Sequence, residues 1–499
     1  MFIQALRQLV PSRRRADGTR SAKTGLSLPV APGRVPRAER AWNPDILHMD
    51  SQTFRDLEIF EVEGGARSLF ELLDTTRTAG GSKVLRSRMR QPFSNADRIR
   101  RVQDAVRYIA AHRAAFDLLP GEIVLTVVEG YIYSALTLIT ARSPIELFLE
   151  SLEIRFGEAK EFWQITRGVQ TTARMIRALK QLLERPQLAD PPGELATIVG
   201  ELRTAVDTLS AVRLPAEGEA KLSAWRLMRL DQTLRLHRRD AVERVMRLVY
   251  EIDALVAMAD AGRNLGFVLP ELHEGPLAIV ADGVFHPFLE RPVRNPVRVD
   301  ATNRLLFLTG PNMAGKTTYL RACGIATYLA HLGMGVPARS FRFSPCQCLF
   351  TAIALADSIH AGISFFRAEA LRMKTIAQAL AEGRRVVALL DEPFMGTNVK
   401  DAYDASRAVF GKLAEADGLF LVSSHLIELG DVLSTHPHVA CARFEADECG
   451  GRLEFDYTLR PGISAQRLGF RVLTEEGVFD LLARATEGSE QRLQPEIHR

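Results

Sequence analysis

The chain has 499 residues, of which 46% are hydrophobic and 25% charged, an ordinary balance for a folded protein that excludes collagen-like and wholly disordered classes. At about 100–200 residues per domain, this length accommodates two to four domains, each with its own core. The formal charge is +4, yet residues 1–40 carry nine basic and two acidic residues, so the remaining 459 sum to −3.

Residues 1–42 are rich in Arg, Pro, Gly and Ser without apolar periodicity, and read as a disordered basic tail. Such a tail can be a solvated extension or can hold nucleic acid electrostatically. Arg13, Arg14 and Arg15 are not followed by an apolar run, so no secretory signal is indicated.

From about 45 to 265 the pattern is helical. The segment 123–140 is the nearest approach to a membrane span, but Glu129 and Gly130 stand at its middle, and a buried helix is the better reading. Over 221–255, Leu222, Trp225, Leu230, Leu234, Val242, Val245, Val249 and Ile252 form one stripe. The opposite face carries Arg226, Arg229, Arg235, Arg238, Arg239 and Arg247, a solvated face or a DNA-backbone face.

After about 266, short β-type runs appear at 277–280, 304–310, 385–391 and 418–424, separated by helical stretches. That alternation predicts a mainly parallel sheet covered on both faces. The five cysteines, Cys323, Cys346, Cys348, Cys441 and Cys449, form no CxxC pair, so neither a disulfide framework nor a zinc site is expected, as suits a reducing cytoplasm.

Three segments carry chemistry. Gly310, Pro311, Asn312, Met313, Ala314, Gly315, Lys316 and Thr317 follow a predicted strand and open a predicted helix. GxxxxGK[ST] in that setting wraps backbone N–H groups around phosphates at a helix N-terminus. Lys316 is expected to neutralise the β/γ-phosphates of ATP, with Thr317 on Mg²⁺ and Thr318 completing the loop. In the second segment an apolar strand ends in Asp391 and Glu392; Asp391 is suited to holding Mg²⁺, and Glu392 to orienting or deprotonating water. In the third, another apolar strand ends near His425, placed to sense the γ-phosphate. Between the first two lies a turn with Gly362 and Ser364 before an amphipathic helix, by itself a cap or an anion-binding turn.

The order of these segments resembles that of ABC-type ATPases, and their wording resembles the MutS family of DNA mismatch repair ATPases. TGPNMAGKTT at 309–318 is similar to the family's TGPNMGGKST. DSIHAGISFFRAE at 357–369, LLDEPFMGTNVKDA at 389–402 and HPFLE at 286–290 match further family elements, and His425 falls where the family has Thr-His. SLFELLDTTRTAGGSKVLRSRMRQPFSNADRIRRVQDAV at 68–106 is similar to the family's core domain.

The resemblance implies an α plus α/β fold: a helical MutS-like core/lever domain over 43–265, then an ABC-type P-loop ATPase domain over 266–499 with a C-terminal dimerisation segment. It implies an Mg²⁺-dependent ATPase of DNA mismatch repair or related DNA repair, cytoplasmic or nucleoid-associated, without a membrane. It also implies a homodimer in which Ser364 acts in trans beside Glu392 and His425, with duplex or branched DNA and a repair protein as partners. Alternatives are a recombination or branched-DNA ATPase without mismatch recognition, and a nucleotide-gated assembly scaffold.

The chain departs from the family in several places. Only some 45 residues precede the core, the helical half is short for a core plus DNA clamp, and no endonuclease-like domain follows. These departures weigh against direct mismatch readout, so mismatched DNA and branched DNA both stand as targets. Pro393, Phe394 and Met395 replace the usual loop residues, and no aromatic near Pro292–Pro296 stands ready to stack on adenine.

Overall fold

The computed structural model describes residues 42–482 and 484, apart from 141–142, 217–218, 220–221, 354–364, 450–451, 465 and 467–468. Nearly all of the basic tail, the turn with Gly362 and Ser364, and the polar C-terminal end lie outside the described residues. The described residues divide into two compact units, one made of 42–43, 123–176 and 208–242, the other of 44–122, 177–207 and the described residues from 243 onward. The division falls inside the helices Ala159–Leu183, Gly193–Ser210 and Arg239–Asn264.

The first unit is helical, and its interior includes a buried charge. Arg235 is not on a solvated face, as the stripe over 221–255 suggested, but is 5% exposed. Its Nε donates to Asp231 Oδ1 at 2.8 Å, and its other nitrogens donate to the carbonyls of Leu136 and Thr137 at 3.1 and 2.9 Å. A guanidinium can be buried because all its donors find acceptors. Tyr131 completes the cluster, its hydroxyl donating to Asp231 Oδ1 at 2.6 Å. The segment 123–140 is not one buried helix: Glu122–Ile132 is helical, with Ile123 79% exposed, and the chain then turns so that Leu136 and Thr137 reach Arg235. Among the described residues no helix is long and apolar enough to cross a membrane.

In the second unit the N-terminal helices start on local side-chain caps. Ser68 and Glu71 form a reciprocal capping box on Leu69–Leu73, Thr78 caps Ala79–Arg90, and Asn95 caps Ala96–Ala111. Buried Asp253 accepts from the backbone N–H groups of Arg77 and Thr78 at 3.1 and 3.0 Å, fixing the turn of the core-like motif.

The strands are β1 Glu271–Leu272, β2 Ile279–Val284, β3 Asn295–Val299, β4 Leu305–Thr309, β5 Ser340–Phe343, β6 Cys348–Ala352, β7 Val386–Asp391, β8 Gly418–Ser423, β9 Val439–Arg443, β10 Ala446–Cys449, β11 Arg452–Phe455 and β12 Arg460–Pro461. β1-β5-β2-β3 form a four-stranded sheet and β10-β11 a hairpin. The larger sheet has the order β12-β9-β4-β8-β7-β6, parallel except for β12.

Strands β4, β6 and β8 are buried along their whole length, which is why β4 and β8 read as unbroken apolar runs rather than alternations; the run at β6 was not picked out from the sequence. On one face Phe307, Phe350, Ala388, Leu390 and Phe420 pack with Ile376 and Phe410 from the helices Phe365–Ala381 and Val399–Glu415. On the other face lies the helix Lys316–His331, whose Gly324 comes close enough that an added Cβ would sit 3.7 Å from Leu389. The architecture is thus mixed helix and sheet, and the parallel strands bring their C-terminal ends to one edge, where open α/β sheets hold their sites.

Candidate functional site

At that edge β4 runs into the glycine-rich loop. Gly310 has φ 145°, and a Cβ there would lie 2.6 Å from the Phe444 carbonyl oxygen, so the tight turn admits only glycine. Gly315, at φ 100°, is the N-cap of Lys316–His331. Met313 also has positive φ, 68°, and its side chain is exposed, as is Asn312, whereas Pro311 and Ala314 are buried. The Lys316 side chain is 4% exposed. Its Nζ donates to the Gly310 and Pro311 carbonyls at 2.9 and 3.1 Å and lies 3.4 Å from Glu392 Oε1.

Two strands away, β7 delivers Asp391 and Glu392. Thr317 Oγ1 donates to Asp391 Oδ2 at 2.6 Å, which brings a hydroxyl and a carboxylate together at the start of the helix. These are hard oxygen donors, suited to Mg²⁺, which keeps several waters and takes few protein ligands. Among the described residues there is no cluster of three or more His, Cys, Asp or Glu side chains able to form an all-protein metal cage.

Between β4 and β7 lies β8, whose last residue, Ser423, was not singled out from the sequence. Its hydroxyl donates to Asp391 Oδ1, and both its hydroxyl and its carbonyl accept from the Glu392 N–H at 3.1 Å. Ser423 therefore ties the two acidic residues to the middle strand. Glu392 itself sits at φ 46°, a left-handed conformation that a non-glycine residue adopts only when its surroundings hold it there. His425 Nδ1 is 3.4 Å from Glu392 Oε2. The hydrogen bond from His425, aided by the Lys316 charge, holds the Glu392 carboxyl below the usual carboxylate range despite partial burial.

Lys316, Thr317, Asp391, Glu392 and His425 are thus brought together. Thr318 stands exposed on the first helical turn, beside Arg321 and His286.

An exposed aromatic far away in sequence does lie beside the glycine-rich loop. Tyr457 is 46% exposed, and its Cδ1 would lie 3.2 Å from a Cβ on Gly315. Its left-handed backbone, φ 53°, is clamped by buried Asn295, whose Nδ2 donates to the Tyr457 carbonyl at 2.9 Å and whose Oδ1 accepts from the Leu459 N–H at 2.8 Å. Glu369 also escaped the sequence reading as a site residue; it accepts from the backbone just after Glu392.

Comparison with known proteins gives a consistent result. Residues 52–259 match the family description MutS domain III, and residues 306–493 match MutS domain V. The chain is similar to the DNA mismatch repair protein MutS of Natronomonas pharaonis, with 27% identity over 87% of this chain and 61% of that protein. The MutS of Aquifex pyrophilus is 25% identical over 90% of this chain and 63% of its own length. The MutS of Oleidesulfovibrio alaskensis is 33% identical over 50% of this chain and 29% of its own length. The chain spans about three fifths of the first two relatives.

Proposed function

The chain belongs to the MutS family, and from that premise we propose that it is a MutS-like Mg²⁺-dependent ATPase of DNA mismatch repair or related DNA repair. In this reading residues 43–265 act as core and lever and residues 266–499 as an ABC-type ATPase domain, with ATP-driven dimer closure coupled to DNA binding. One observation carries the reading: Lys316, the Thr317–Asp391 pair and the Glu392–His425 pair converge at one edge of the sheet, beside a glycine-rich loop that opens a helix.

The proposed chemistry follows from the placement. The loop from Gly310 to Thr318 receives the phosphates, and Lys316 exchanges its carbonyl partners for β- and γ-phosphate oxygens. Thr317 and Asp391 would hold Mg²⁺, which supplies charge neutralisation across those oxygens. Glu392 orients a water and takes its proton as the oxygen attacks the γ-phosphorus and the bond to the bridging oxygen breaks, releasing ADP. His425 holds Glu392 in position through its ring nitrogen.

Tyr457 offers an exposed ring at the mouth of the loop for the base. Stacking on an aromatic ring contributes about 1–3 kcal/mol, so Tyr457→Ala should weaken ATP binding about tenfold while changing kcat less than twofold. Equilibrium titration with a fluorescent ATP analogue checks this; unchanged affinity removes Tyr457 from the nucleotide site.

In the same reading Ser364 acts on the γ-phosphate of a second subunit, where its hydroxyl and the following helix would stabilise charge. A mixing experiment tests the trans arrangement. Lys316→Ala protein would still present Ser364, and Ser364→Arg protein would still bind ATP, so each alone should be nearly inactive. Mixed, they should recover part of the activity through dimers with one intact composite site. No recovery despite demonstrated subunit exchange, with a control showing that one intact site suffices for turnover, eliminates the trans role.

The proposed coupling to DNA is tested by binding to homoduplex, mispaired, branched and single-stranded DNA, with and without ATP, at two salt concentrations. An ATP-dependent preference for a DNA structure supports it. Steep salt dependence without preference shows only general phosphate attraction, and no DNA response of binding or turnover favours a nucleotide-gated scaffold.

A further inference from the structure

The backbone that follows Glu392 is held by a carboxylate from another element. Glu369, on the helix Phe365–Ala381, is 3% exposed. Its Oε1 accepts from the N–H groups of Phe394 and Met395 at 2.7 and 3.2 Å, and its Oε2 accepts from Gly396 at 3.3 Å. Three successive N–H groups pointing at one carboxylate form an anion-binding concavity filled here from within the chain. Burial pushes the Glu369 carboxyl up, while the three N–H groups favour its ionised form.

The pinned segment is conformationally demanding. Glu392 has φ 46° and Phe394 φ 71°, and left-handed residues other than glycine persist only where neighbours over-determine them. The Phe394 ring is buried, 6.2 Å from Phe366 and 6.5 Å from Phe410 between ring centroids. The helix bearing Glu369 is itself anchored. Arg372, one turn on, donates from Nε to the Thr351 carbonyl on β6 at 2.7 Å and from Nη2 to Thr53 Oγ1 at 2.9 Å, and its guanidinium pairs with Asp50. A braced helix thus presents a buried carboxylate to the loop that begins at the proposed catalytic base.

We infer that Glu369 is a positioning residue: its carboxylate fixes the backbone of residues 394–396 and, through it, the left-handed turn that aims the Glu392 carboxylate between His425 and Lys316. The inference rests on the proposed ATPase reading. It adds that turnover depends on a group touching neither nucleotide nor metal. Glu369 lines one small cavity with Asp391 and Glu392, but its described hydrogen bonds go to residues 394–396 and not to the glycine-rich loop, so ATP affinity is expected to survive its replacement.

The test compares Glu369→Gln and Glu369→Ala with wild type in steady-state ATP hydrolysis, alongside ATP affinity by titration and thermal melting. Glutamine keeps one oxygen acceptor of the same reach, and alanine keeps none. The expected result is a graded loss of kcat, about tenfold for glutamine and about a hundredfold for alanine, the latter being the scale of an angstrom-sized misplacement. KM and ATP affinity should stay within about twofold. Wild-type kcat in a folded Glu369→Gln or Glu369→Ala protein overturns the inference. So does a parallel loss of affinity and kcat, or a glutamine variant that does not fold, since either assigns Glu369 to the fold alone. Absence of ATP hydrolysis by wild type would instead overturn the ATPase reading on which the inference stands.

Discussion

Replacing Lys316 with alanine should abolish measurable ATP binding, a loss of at least about a hundredfold in affinity. The ammonium is nearly fully buried, and its present partners are the Gly310 and Pro311 carbonyls and the Glu392 carboxylate. A hydrogen bond to a charged group contributes roughly 1.5–3 kcal/mol, and this ammonium would meet two phosphates at once. The variant should fold, because the Gly310–Phe444 approach and the N-cap at Gly315 do not involve the side chain. Calorimetric titration with ATP, with melting as the control on folding, checks the expectation. Unchanged affinity would remove the glycine-rich loop from the account.

Glu392→Gln should separate binding from chemistry. The amide preserves shape and can still accept from His425, but it cannot take a proton from the attacking water, and general-base contributions are about 10²–10⁴-fold. Turnover should therefore fall about a thousandfold while ATP affinity is retained. The pH dependence has a definite sign. Because the His425 hydrogen bond and then the Lys316 charge lower the Glu392 carboxyl, it is ionised above that lowered value. Turnover limited by this group should be flat across neutral pH and decline only as pH falls through the lowered value, below the ordinary glutamate range of about 4.3. A kcat profile measured down to the acid limit of folding tests this, and a midpoint near neutrality would assign the titrating base elsewhere.

What could be read before the structure was whatever depends on neighbours in sequence. The strand runs at 304–310, 385–391 and 418–424 correspond to β4, β7 and β8 within a residue or two, because strands buried on both faces leave unbroken apolar runs. The glycine-rich loop was legible because its glycines, lysine and threonine are contiguous. Ser423 and Tyr457 were not, and neither was the role of Glu369, since each acts on a backbone or loop brought near only by the fold. Serine at the end of an apolar strand signals nothing until β8 inserts between β4 and β7. Glu369 closes the family element at 357–369, but its partner, the 394–396 backbone, comes into view only when its helix packs over that loop. Arg235 was misplaced because helical periodicity assigns a face but cannot foresee Asp231 and the Leu136 and Thr137 carbonyls, which make its burial tolerable. The segment 123–140 read as one helix for the same reason: the turn after Ile132 is set by that buried guanidinium.

The most direct test of the central claim is the identity of the nucleotide retained on the protein. Wild type, Lys316→Ala and Glu392→Gln would each be incubated with labelled ATP and Mg²⁺, passed rapidly through a desalting column, quenched and resolved. If Lys316 binds the phosphates and Glu392 drives the attack on them, wild type should carry ADP, Glu392→Gln should carry intact ATP, and Lys316→Ala should carry neither. ADP on Glu392→Gln at the wild-type level would contradict the assignment of the base, and nucleotide retained by Lys316→Ala would contradict the site itself.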